Sequence, residues 1–147
     1  MRNKSVVTGI SLLILLTTLL AAVHSATRVS ASTGYLHIEN GMSVQEISVE
    51  TLEFSEVKGN VINAKGEQRK IDTLGVLLSE ILEKANVTAF SEIKVVADDE
   101  YSAIVTKEEV LTEPVYLIQT GDVLQMIVFG DNNSRRNVSN VVRLIVS

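Results

Sequence analysis

The chain has 147 residues, 46% of them apolar, with 13 Lys/Arg against 18 Asp/Glu and no cysteine. That length supports one globular domain with a single core, and an acidic balance without basic clusters argues against nucleic acid or anionic lipid as a partner. The missing cysteine excludes a disulfide scaffold, a thiolate metal site, a thiol nucleophile and a lipid-modified N-terminal cysteine.

Residues 1–25 have the layout of a secretory signal: Arg2 and Lys4, no acid, an apolar run over 10–23, and a small-residue exit around Ser25 and Ala26. Its alternative is an uncleaved anchor over residues 6–23, which would be the chain's one membrane attachment. Removing residues 1–25 leaves 122 residues with 11 Lys/Arg against 18 Asp/Glu, a net charge of −7. Residues 26–33 are small and polar and read as a flexible leader, so the folded domain is expected over 34–147, on the outer cell surface or in the periplasm.

A first strand is expected over 35–39, closed by the turn pair Asn40-Gly41. Residues 47–52 suggest one helical turn, residues 54–63 an extended segment, and Gly66 the turn that follows it. The clearest periodicity predicts a helix over 74–85. There Leu74, Leu77, Leu78, Ile81, Leu82 and Ala85 recur at spacings of three and four, with Asp72 or Thr73 as cap. Beyond Asn86 the pattern becomes β, with strands over 93–97 and 101–105 around the acidic turn Asp98-Asp99-Glu100. Thr106 and Glu109 form a capping box at the start of a short helix. Strands over 115–119, 123–129 and 138–146 complete an α+β domain, a mixed sheet with one principal helix and short helical turns.

Three stretches carry a family resemblance. Gly75-Val76-Leu77-Leu78-Ser79-Glu80-Ile81-Leu82 is one, Val95-Val96-Ala97-Asp98-Asp99-Glu100-Tyr101-Ser102 another. The third is Leu124-Gln125-Met126-Ile127-Val128-Phe129-Gly130 with Arg136-Asn137-Val138 and Val142-Arg143-Leu144-Ile145-Val146. In order and spacing they resemble the molybdopterin-binding domain of sulfite-oxidase-type oxidoreductases, in its small secreted form. The resemblance implies that family's fold and a bacterial source. It also implies a molybdopterin whose metal is held by a soft cysteine thiolate. This chain has no cysteine, has Asp99-Glu100-Tyr101 where the family has Asp-Gly-Tyr, and has Arg136-Asn137-Val138 where the family has Arg-Trp-Val.

The expected site is therefore a vestigial pocket at Asp99, Tyr101, Arg135 and Arg136, with no catalytic residue and no metal assigned. No cofactor is expected, molybdopterin being admitted by resemblance alone. Asp98-Asp99-Glu100 and Asp131-Asn132-Asn133-Ser134 offer hard oxygens for calcium, yet neither has EF-hand spacing and both read first as turns. His37 falls on the strand face opposite Leu36 and Ile38, which faces solvent. Asn86, Asn132 and Asn137 stand in glycosylation sequons. The expected function is a secreted or surface-tethered, non-catalytic binding or accessory module whose partner is a protein or a small anionic ligand. Its rivals are a redox-enzyme component and a purely structural cell-envelope domain.

Overall fold

The computed structural model describes residues 34–132 and 134–147, so the expected signal at 1–25 and leader at 26–33 lie outside the described residues. In chain order the elements are β1 (Tyr35–Asn40), β2 (Ser43–Ser48), a 3-10 turn (Val49–Thr51), β3 (Ser55–Ile62), β4 (Gln68–Leu77), α1 (Leu78–Lys84), β5 (Glu92–Ala97), β6 (Ser102–Thr106), α2 (Lys107–Thr112), β7 (Val115–Thr120), β8 (Val123–Val128) and β9 (Val141–Val146). They form a five-stranded sheet in the order β2-β1-β9-β5-β6 and a four-stranded sheet in the order β3-β4-β7-β8. Every pairing is antiparallel except β1 with β9. Strand accounts for 53% of the described residues and helix for 14%, which overturns the expected α+β domain with a principal helix: the fold is β-rich.

The error lies in residues 74–77, which continue β4 and do not begin the helix. β4 buries a residue on each of its faces: Val76 belongs to the main core and Ile71 to a second cluster on the opposite face, while Leu74 is exposed. A two-faced strand running into a short helix mimics helical spacing. Gly75 marks the conflict, since it faces Ser55 on one side and Ile118 on the other. A Cβ at that position would meet Val57 Cγ2 and Ile118 Cγ2, each at 3.0 Å. The helix proper is seven residues long. It ends in a Schellman motif: Asn86 takes a φ of 55°, its amide donates to the Glu83 carbonyl, and Val87 donates to the Leu82 carbonyl at 2.8 Å.

The inner faces of the two sheets share one apolar layer. Leu36, Ile38, Val95 and Leu144 enter it from the five-stranded sheet, Leu117 and Met126 from the four-stranded sheet, and Leu78, Ile81 and Leu82 from α1. Burying each such side chain contributes about 1.5–3 kcal/mol. Among the described residues no polar or charged residue is fully buried, so the layer is held by burial alone. The second cluster, Val61, Ile71, Ile118 and Ile127, is covered by Tyr116 and Phe129. The Phe129 ring lies directly over Gly59, where an ideal Cβ would come within 2.5 Å of it.

Two further details differ from the sequence expectation. Residues 43–48 are a strand, and only Val49–Thr51 turn helically. Residue 138 makes a single bridge to Met126, and β9 begins at Val141. At its start β9 carries an extra residue: Ala97 faces Val141 and Val96 faces Arg143, leaving Val142 as a bulge. The expected strands at 35–39, 93–97, 101–105, 115–119 and 123–129 are present to within a residue or two, as is the Thr106/Glu109 capping box at α2.

Candidate functional site

The structure joins Asp99 and Tyr101 to each other and Tyr101 to the main chain of Arg135, whereas Arg136 is bound to Asp131 and Glu109. The β5–β6 turn closes when the Tyr101 amide donates to Asp99 Oδ1 at 3.0 Å and Ala97 donates to the Tyr101 carbonyl at 2.8 Å. That turn is latched to the loop between β8 and β9 at two points. The Tyr101 hydroxyl donates to the Arg135 carbonyl, and the Asp98 amide donates to the Asn140 carbonyl. Glu100 holds the left-handed region at φ 67°, where glycine is at ease, and its carboxylate accepts from Arg143 Nη2 at 2.9 Å.

Arg136 points inward and is bound between two carboxylates. Its Nε donates to Asp131 Oδ2 at 2.8 Å, and its terminal nitrogens reach Asp131 Oδ1 and Glu109 Oε1. Hydrogen bonding to Asp131 is the main force that raises the guanidinium above its ordinary range, against the opposing pull of partial burial, with Glu109 adding to the rise. At Glu109 burial works to raise the carboxyl, but the Thr106 amide, the Arg136 guanidinium and the Thr106 hydroxyl together hold it below its ordinary value. Arg136 thus ties the start of α2 to the β8–β9 loop.

This donor set does not fit a molybdopterin. The guanidinium of Arg136 is committed to two carboxylates, the Tyr101 hydroxyl to a main-chain carbonyl, and the chain supplies no thiolate. Four concavities among the described residues lie elsewhere, their linings drawn from residues other than Asp99, Tyr101, Arg135 and Arg136. Among the described residues no three of His, Cys, Asp and Glu converge as metal ligands. His37 lies on the outer sheet face with Nδ1 3.4 Å from Glu46. Of the sequon residues, Asn86 is an exposed helix cap, whereas Asn137 is half-buried and donates through Nδ2 to the Ile62 carbonyl.

The most spacious of these concavities, about 580 Å³, lies where β3 begins, and the sequence reading missed it. Leu52 and Val76 are buried at its floor and Phe54 is half-buried beside them. Glu53, Glu80, Glu83 and Lys84 form the rim, with Ser55 at its edge. Two rim groups are engaged: Glu80 Oε2 accepts from the Leu77 amide at 3.2 Å, and Lys84 Nζ donates to the Thr51 carbonyl. The exposed Glu53 and Glu83 carboxylates make no hydrogen bond or ion pair among the described residues. The groove therefore combines an apolar floor with an excess of negative charge. It suits a ligand that is apolar in part and cationic in part.

Fold and groove together define a two-sheet β domain with an acid-rimmed concavity beside an exposed strand edge. No protein-family model matches the chain, and no curated protein matches it.

Proposed function

We propose that this protein is an exported or surface-tethered, non-catalytic binding module, and that its partner sits in the groove between Leu52, Phe54 and Val76. Export is supported by the basic and apolar layout of residues 1–25, and descent from a sulfite-oxidase-type molybdopterin domain by the three matching stretches alone. The observation that carries the reading is the groove: an apolar floor large enough for a side chain, ringed by carboxylates of which two are unspent. A partner of opposite charge would gain on-rate and selectivity from that rim and affinity from the floor. The small anionic ligand expected from the sequence is disfavoured by the same charges.

Calorimetric titration tests this reading, comparing a blocked hexapeptide of alternating lysine and valine with its glutamate counterpart. The lysine peptide binds, more weakly as salt is raised, and the glutamate peptide does not. The Glu53→Gln/Glu83→Gln double variant weakens the lysine peptide by about three- to tenfold, the worth of two exposed charge pairs. Equal binding of both peptides, or an unaltered affinity in the double variant, contradicts the assignment.

A further inference from the structure

The groove reaches Ser55 at the start of β3, which among the described residues is an edge strand, and we propose that the partner enters as an extended basic segment that adds a strand to this edge. An apolar side chain of that segment would rest over Leu52, Phe54 and Val76, with a Lys or Arg beside Glu53 and Glu83. This inference rests on the binding-module reading and specifies its partner as polypeptide.

The parity of the β3–β4 hairpin shows which backbone groups are available. Its turn is closed by the Asn63 amide donating to the Glu67 carbonyl and the Gly66 amide to the Asn63 carbonyl, both at 2.9 Å. From that closing pair the antiparallel ladder alternates, so Val61, Gly59, Val57 and Ser55 turn their amides and carbonyls toward β4. Ile62, Asn60, Lys58 and Glu56 turn theirs away. Asn137 Nδ2 already takes the outward carbonyl of Ile62 at 3.4 Å. Among the described residues the outward groups of Asn60, Lys58 and Glu56 remain unpaired, and they lead toward the groove at Ser55 and Phe54.

Other edges offer less. β8 is bridged by Val138 at its centre, with the Met126 amide donating to the Val138 carbonyl at 2.8 Å. β2 has six residues and β6 five, against eight in β3, and neither borders the groove. Strand addition draws affinity from main-chain hydrogen bonds and specificity from the alternate side chains that meet a pocket. β3 supplies the first, and the acid-rimmed floor supplies the second. Lys58 on the edge is flanked by Glu56 at 3.3 Å and Asp72 at 3.8 Å, so it adds little net positive charge against a basic strand.

The test uses the full chain and the lysine–valine hexapeptide in two N-methylated forms, each blocking the amides that face one side of the extended peptide. One form should lose affinity about tenfold, having lost the hydrogen bonds that need the edge, while the other stays within about twofold of the parent. Lys58→Pro, which removes one outward amide, should weaken the parent by a similar factor, while Lys58→Ala should not. If the parent binds with the expected charge dependence but both N-methylated forms bind equally well, strand addition is wrong and the groove reading stands. If the parent fails to bind, both fall. A concentration-dependent dimer in sedimentation that Lys58→Pro abolishes would assign the edge to a second copy and overturn the proposal.

Discussion

Gly59→Ala is the sharpest probe of how the four-stranded sheet covers its outer face. An ideal Cβ at this position would lie 2.5, 2.8 and 2.9 Å from Cε1, Cδ1 and Cζ of Phe129. Carbon atoms pack at about 3.5–4.0 Å, so the ring must retreat by about 1 Å. Retreat breaks its edge-on contact with Tyr116, where the centroids are 5.8 Å apart at 67°, and loosens the cover over Val61, Ile71, Ile118 and Ile127. Overpacking of this kind costs about 1–3 kcal/mol, and the aromatic pair accounts for about 0.5–1.5 kcal/mol of it. Replacing a strand glycine by alanine returns about 0.5–1 kcal/mol through the unfolded chain. The net expectation is a loss of about 1–2 kcal/mol, or a Tm lower by roughly 4 °C per kcal/mol in a domain of this size. In a Phe129→Ala background the same substitution meets no ring and becomes neutral or slightly stabilising. Urea unfolding of the four proteins measures the cycle. A coupling below about 0.5 kcal/mol would refute the packing argument.

Two other predictions concern Glu100 in the β5–β6 turn and Glu109 at the start of α2. Glu100 occupies a left-handed conformation and contacts Arg143, so Glu100→Ala loses the contact and keeps the strain, whereas Glu100→Gly also relieves the strain. The glycine variant should be about 1 kcal/mol more stable than the alanine variant in chemical unfolding; equal stabilities would count against the strain. Glu109 titrates below its ordinary value of 4.5 in the folded protein, so the unfolded chain takes up its proton first as pH falls. Its contribution is fully present above about pH 4.5 and is lost as pH falls through the lower folded value. Arg136 is shifted upward, and its contribution is complete throughout that range. Unfolding curves from pH 6 to about pH 3 should therefore fall more steeply for the native chain than for Glu109→Gln, and parallel curves would mean that the triad with Arg136 and Asp131 is not formed.

What the sequence revealed and concealed follows from how each element is buried. Strands with one buried and one solvated face showed their alternation: β1 buries Leu36 and Ile38 and exposes Tyr35, and β6 buries Ala103 and Val105 and exposes Ile104. β2 escaped notice because four of its six residues are exposed and Ile47 alone is buried. β4 was misread because its last residues, Leu74 to Leu77, are mostly apolar and run without a break into α1, so strand and helix together gave a helical spacing. The capping box at Thr106 was legible as a local motif, but the second partner of Glu109 was not, since Arg136 lies 27 residues away. The groove was invisible on the same grounds. Glu53 and Glu83 become neighbours only when the β3–β4 hairpin carries the chain back beside Leu52 and α1 begins at Leu78. Conversely, Arg136 was placed in the expected vestigial pocket because Glu109, 27 residues away, had not yet been brought to its guanidinium.

The account turns on where a partner touches. Amide chemical-shift mapping of the isotope-labelled protein during titration with the lysine–valine hexapeptide addresses that directly. The predicted shifts concentrate at Leu52, Glu53, Phe54 and Ser55, at Val76, at Glu80, Glu83 and Lys84, and along the outward amides of Glu56, Lys58 and Asn60. Shifts centred instead on Asp99, Tyr101, Arg135 and Arg136, with the groove residues unmoved, would contradict the account.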